Sequence, residues 1–199
     1  MTLPAGDAQL VQIVDAATAD AARRAGTWLK CTPGCTQCCV GVFPIAQLDA
    51  ARLREGLAML DSTDGERASA VRRRAQQAVA RLAPEFPGDA QTGILDHEQS
   101  ERFEDFANDE PCPALDPATG LCDLYAARPI ACRVFGPPLR TEEGLGVCEL
   151  CFVGADPGTV SACAVHLDTD TMEAALNAES EKLLGMAGNT IVAWALLRS

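Results

Sequence analysis

Four thiols fall within nine residues in the run Cys31-Thr32-Pro33-Gly34-Cys35-Thr36-Gln37-Cys38-Cys39. Pro33 and Gly34 prevent a helix from passing through it, so the run is expected to be a loop that concentrates soft sulfur donors at one place. Six further cysteines follow at Cys112, Cys122, Cys132, Cys148, Cys151 and Cys163, which makes ten in 199 residues. A chain of that length buries roughly 70% of the surface its unfolded form exposes and builds a core without covalent staples. The opening residues Met1 to Asp7 combine no basic start with an apolar run. A reducing, cytoplasmic setting is therefore expected, in which clustered cysteines signify metal or redox chemistry rather than structural bridges.

Charge narrows the partners. A formal net charge of −12 argues against nucleic acid, whose phosphates require clustered Lys and Arg. The longest strongly apolar stretch, Ile191 to Leu197, is too short to cross a bilayer, so no membrane partner is expected. Arg67, Arg74 and Arg81 recur every seven residues, with Arg72 and Arg73 beside them. The expected role of this stripe is a solvated helix face, with contact to an acidic partner as the alternative.

The patterning predicts a mainly α chain with a small β-hairpin or irregular cysteine-rich core, α+β being the alternative. Residues 1–199 are expected to form a single domain: a cysteine-cluster core over about 28–153, an N-terminal helix over 7–30 and a C-terminal helical segment over 168–198. Leu10, Val14, Ala17, Ala21 and Trp28 share one face of the first helix, and Asp7 is its expected N-cap. Further helices are expected from Pro44 to about Leu60, from Glu66 to Leu82 and, shorter and acidic, from Asp96 to Ala107. Asp116-Pro117-Ala118-Thr119-Gly120 reads as the turn of a hairpin presenting Cys112 and Cys122. Arg128-Pro129 reads as a helix start that puts Cys132 in the first turn beside Arg133. A Gly-rich turn is expected after Pro138 and another turn at Asp156-Pro157-Gly158. The apolar side of the last segment, carrying Leu176, Leu183, Ile191 and Trp194, is expected to pack on the N-terminal helix, with a homodimer contact as the alternative.

Cys35-x2-Cys38 and Cys148-x2-Cys151 have metal-knuckle spacing, and Cys31-x3-Cys35 extends the first. Adjacent Cys38 and Cys39 are expected to point apart and serve separate roles. Cys163 and His166 could extend the second knuckle, whereas His97 reads as an exposed helix residue. So few histidines and so many thiols favour zinc or an iron centre, an iron–sulfur cluster among them.

These residues bring out a family likeness. The first run, together with Cys112, Gly120-Leu121-Cys122-Asp123-Leu124-Tyr125, Arg128-Pro129 and Cys132-Arg133-Val134-Phe135, resembles the YkgJ-type, or CxxCxxCC, cysteine-cluster family of zinc- or iron-chelating proteins. The likeness spans roughly Trp28 to Cys151. It implies that the two distant motifs form one metal-binding core, with Cys31, Cys35, Cys38, Cys39, Cys112, Cys122, Cys132, Cys148 and Cys151 as candidate ligands. Tyr125, Arg128 and Arg133 would then orient or charge-compensate the thiolates. The expected function is noncatalytic chelation of zinc or iron. The alternatives are an iron–sulfur redox protein, an enzyme akin to the protein-lysine methylases of the wider family, and a thiol redox sensor. Gly144-x-Gly146 and Gly154-x3-Gly158 are weak as cofactor loops, and neither histidine is placed as a base for a nucleophilic cysteine.

Overall fold

The computed structural model describes residues 3–141 and 144–198. In chain order the elements are α1 (Asp7–Ala25), α2 (Gln47–Thr63), α3 (Gly65–Leu82), β1 (Gly88–Asp89), β2 (Ile94–Leu95), α4 (Ser100–Glu104), β3 (Leu115–Asp116), β4 (Leu121–Cys122), α5 (Ile130–Val134), β5 (Leu139–Thr141), β6 (Gly144–Gly146), α6 (Pro157–Ala162), α7 (Asp170–Leu184) and α8 (Val192–Ala195). The strands form three antiparallel pairs, β1–β2, β3–β4 and β5–β6. The fold is thus mainly α with a small β part. Among the described residues no helix is long and apolar enough to cross a membrane. The chain divides into two compact units, one built from residues 34–129 and 177–198, the other from 4–33 and 130–176.

In the first unit α2, α3 and α8 pack around Leu53, Leu57, Val71, Ala75, Val192 and Leu196. Asp64 caps α3 by accepting from the Arg67 amide at 3.1 Å, which fixes the start of that helix where its sequence pattern begins. The preceding helix extends further than its pattern suggests, because Asp61, Ser62 and Thr63 remain helical as a polar tail. Gly56 on α2 permits a close approach: a Cβ there would stand 2.3 Å from the Ala127 Cβ. Ile45 and Thr190 exchange backbone hydrogen bonds of 2.8 and 2.9 Å, tying the entry of α2 to the entry of α8.

A second cluster in this unit corrects the expectation for Ile191 and Trp194, whereas Leu176 lies against the start of α1 as expected, 3.0 Å from where a Gly6 Cβ would be. Ile191 and Trp194 pack with Ala78, Leu82, Phe86 and Phe106. Trp194 stacks on Phe86 at 4.3 Å, and its indole N–H donates to the Ala90 carbonyl at 2.8 Å. Leu183 is exposed. The acidic helix expected over 96–107 is a 3-10 turn, His97–Gln99, followed by the five-residue α4.

In the second unit α1 buries Leu10, Val14, Ala21 and Ala25. Gly6, not Asp7, is its N-cap, and the helix ends at Ala25 because Gly26 adopts φ +51°. Residues Gly26–Trp28 form a 3-10 turn in place of the helix expected to Lys30. Arg133 of α5, almost fully buried, donates to both oxygens of Asp15 on α1 at 3.0 and 2.8 Å. The Gly-rich turn expected after Pro138 is the β5–β6 hairpin, whose tip at residues 142–143 lies outside the described residues. Asp156 is the N-cap of α6 and accepts from the Gly158 and Thr159 amides at 2.9 and 3.1 Å.

Candidate metal centre

Two cysteine-bearing loops of the first unit lie side by side. The Cys112 amide donates to the Cys39 carbonyl at 2.7 Å and the Gly41 amide to the Glu110 carbonyl at 3.0 Å, with Val40 and Pro111 as an antiparallel bridge. Cys38 and Cys39 sit on the 3-10 turn Gln37–Cys39, which the Cys39 amide closes on the Thr36 carbonyl at 2.8 Å. Cys122 comes from β4, opposite Leu115 of β3. Asp116 shapes that hairpin turn as expected, accepting from the Gly120 and Ala118 amides at 2.9 and 3.1 Å and from the Thr119 hydroxyl at 2.6 Å. At the hairpin tip, Gly120 has φ +70° and presses on the cysteine loop, since a Cβ there would be 3.2 Å from the Gly34 carbonyl oxygen.

The arginine stripe of α3 holds this arrangement. Arg67 donates to Asp123 Oδ1 from Nε and Nη2 at 3.0 and 2.7 Å, and Arg74 donates to Asp123 Oδ2 at 2.6 Å and to the Pro113 carbonyl at 2.8 Å. Arg81 pairs with Glu110 at 2.5 Å. The stripe is therefore not simply a solvated face: its acidic partners lie in the same chain, on the segment that carries Cys112 and Cys122. These paired carboxylates raise the Arg67 and Arg81 pKa values, chiefly through the hydrogen bonds.

The four thiols share one electrostatic neighbourhood. Burial pushes Cys112 up to about 12, with the negative charge of Cys122 adding to it and the Ala114 and Leu115 amides opposing it. Burial also raises Cys122, against the Leu124 amide and the Arg128 charge. The neighbouring Cys39 thiol brings Cys38 down to about 6, with help from Arg128, while Cys39 itself is pushed up. The adjacent pair, expected to point apart, thus shifts each other's ionisation. Arg128 stands 3.9 Å over the Tyr125 ring and donates to the Tyr125 carbonyl at 3.1 Å. Tyr125 is exposed, so its ring supports the guanidinium rather than filling the core.

Such a set suits a soft cation. Ionising one thiol opposes ionising the next, and a divalent ion reverses that repulsion. Among the described residues no three Cys, His, Asp or Glu side chains already stand around a common point fit for a metal. The ten cysteines form no disulfide. Cys35 lies on the same loop as Cys38 and Cys39.

The other expected ligands belong to the second unit. The Cys31 sulfur lies over Gly136, 2.6 Å from where a Cβ would be. Cys132 is the third residue of α5, in its first turn as expected. Cys148 and Cys151 are buried in a cluster that also contains Cys163. Arg133 pairs with Asp15. His97 and His166 are both exposed. Gly144 and Gly146 belong to strand β6, not to a cofactor loop.

Asp123 is the functional residue that sequence reasoning missed. Its signal was the regular spacing of Arg67 and Arg74, which left contact with an acidic partner as the alternative to a solvated face. No curated protein and no solved structure matches the chain significantly. A family model described as "Putative zinc- or iron-chelating domain" does match, over residues 30–151, which take in both cysteine loops and the hairpin between the arginine clamps. The chain belongs to the CxxCxxCC family.

Proposed function

We propose that the first unit chelates one zinc or iron ion through Cys38, Cys39, Cys112 and Cys122, with Cys35 as the further thiol on the same loop, and that this role is noncatalytic. The observation carrying this reading is the mutual influence of the four thiols on one another's ionisation, in loops joined by the Cys112 amide to Cys39 carbonyl bond. Thiols that oppose one another as anions are stabilised together only by a cation. Chelation requires the half-buried side chains to turn about their Cα–Cβ bonds and release their protons, while the backbone frame stays in place. Arg128 offsets part of the remaining charge.

The test is metal analysis by mass spectrometry, with a visible spectrum, on full-length protein purified anaerobically without chelators. A colourless protein holding zinc, with metal lost in Cys38→Ser and Cys112→Ser, is the expected result. A brown protein bleached by dithionite would assign an iron–sulfur centre instead. Negligible metal would end the chelation reading. Alkylation of each thiol before and after chelator treatment extends the same test to Cys31 and Cys132.

A further inference from the structure

Cys148 and Cys151 are the two ends of one turn in the second unit. The Cys151 amide donates to the Cys148 carbonyl at 2.8 Å, with Glu149 and Leu150 between them. A turn closed by that bond holds its end Cα atoms within about 7 Å of each other, and a disulfide spans Cα atoms about 4.4–6.8 Å apart. Both thiols, 8% and 4% exposed, belong to one buried cluster with Ala25, Phe152 and Cys163. We propose that Cys148 and Cys151 are a redox-responsive site that closes to a disulfide on meeting a hydroperoxide, separately from the chelation by the first unit.

The backbone leaving this turn is fixed. Phe152 is held at φ +57°, costly for a residue with a side chain. Three contacts hold it there: its amide donates to the Trp28 carbonyl at 3.0 Å, the Ala155 amide donates to its carbonyl at 3.0 Å, and its ring stacks on Trp28. Joining the two sulfurs therefore orders little that is not already ordered. Cys163 is carried by a separate segment. Its amide donates to the Val160 carbonyl at 3.2 Å, and the Arg24 guanidinium donates to the carbonyls on either side, of Ala162 and Ala164. No shared turn sets the distance of Cys163 from the other two.

Leu150 and Val153, 44% and 73% exposed, place the segment at the surface while its sulfurs are buried, an arrangement that suits a small oxidant. Cys148, the more exposed thiol, is the sulfur a peroxide meets first. Its thiolate attacks one peroxide oxygen and the O–O bond breaks. The sulfur becomes a sulfenic acid, and the other oxygen takes up the thiol's proton and leaves as water. Cys151 then attacks that sulfur, and the displaced hydroxyl leaves with the Cys151 proton as a second water. Two thiols and one hydrogen peroxide thus give one disulfide and two waters, with two electrons passing from sulfur to oxygen. The Lys30 amide donates to Cys151 Sγ at 3.4 Å, a bond that strengthens whenever this sulfur carries negative charge, as attacking group here and as leaving group on reduction.

Full-length protein purified anaerobically is treated with hydrogen peroxide, alkylated with iodoacetamide in urea, and cleaved after Glu149 and before Asp156, which puts Cys148, Cys151 and Cys163 on separate fragments. The expected product joins the Cys148 and Cys151 fragments, two hydrogens lighter than the free pair, with Cys163 alkylated, and dithiothreitol separates it. Cys163→Ser is expected to form the same joined product, and Cys148→Ser to leave Cys151 unjoined. Should either variant fail to fold, the fragments of the unaltered protein decide. Three separate fragments, alkylated or further oxidised, overturn the proposal, and so does Cys163 joined to either thiol. Joining that begins only after chelator treatment makes the pair metal ligands and also overturns it. Metal is measured in the same samples: a joined pair in protein without metal keeps this site and removes the chelation, and bound metal with no joined pair does the reverse.

Discussion

Replacing Asp123 by Ala isolates the contribution of the arginine clamp. Its carboxylate is 3% exposed, against 23% for the Arg74 side chain and 53% for Arg67. The Arg74 bond is charge-assisted and mostly shielded, which places its loss at about 1.5–3 kcal/mol. Arg67 regains water freely once released, so its part is small. Relief of the buried carboxylate's desolvation offsets some of this, leaving a net loss of about 2 kcal/mol. With a urea slope of about 2 kcal/mol per molar for a chain of this size, the unfolding midpoint falls by about 1 M. The measurement is urea unfolding of the metal-free protein in reductant and chelator, so that metal binding does not enter. Arg74→Met is expected to cost more than Arg67→Met, because Arg74 also holds the Pro113 carbonyl. A midpoint for Asp123→Ala unchanged within error, or the reverse order of the two arginines, would refute the reasoning.

Further outcomes follow from the packing and the thiols. Trp194→Ala removes both the stack on Phe86 and the bond to Ala90, and should cost about 3–5 kcal/mol in the same unfolding measurement. Gly56→Ala gains up to about 1 kcal/mol of helix propensity but drives a methyl into Ala127 at 2.3 Å, so calorimetry should show a net loss of about 1–2 kcal/mol. In the metal-free protein Cys112 is raised from 9.0 to about 12, so its stabilising contribution is complete below pH 9 and disappears as pH rises from 9 towards 12. Chemical unfolding across that interval should therefore show falling stability, and Cys112→Ala should flatten the decline.

The hairpin and the start of α3 were legible in the sequence because their causes are local. Asp116 bonds within its own turn, and Asp64 caps the helix that begins one residue later. The length of α2 was less legible, since Asp61 to Thr63 have turn-like composition yet simply prolong an existing helix into solvent. Long-range partners leave weaker marks. Arg74 and Asp123 are 49 residues apart, and a regular arginine spacing announces a face without announcing what covers it. The same holds for Ile191 and Trp194, whose apolar period was clear while Phe86 and Phe106 as their partners were not. For Cys38 and Cys39, adjacency in the chain suggested divergence, but the two sit on one 3-10 turn and shift each other's ionisation.

The distribution of cations around the first cysteine set bears on the chelation proposed for it. In a chain of net charge −12, Arg67, Arg74 and Arg81 all approach the segment bearing Cys112, yet each is paired with a carboxylate, Asp123 or Glu110. Their charge is locally matched, so they position the segment without compensating thiolates. Arg128 is the cation that lowers both Cys38 and Cys122, and it is outweighed at Cys122 by burial. A single guanidinium carries one positive charge, whereas four ionised thiols carry four negative ones. The frame is thus held by ion pairs that leave the sulfurs undercompensated, and under the proposed chelation a divalent ion would supply what the arginines do not. By the same accounting, metal removal should return Cys39, Cys112 and Cys122 to their protonated state and leave Cys38 largely ionised at neutral pH, with the arginine clamps intact.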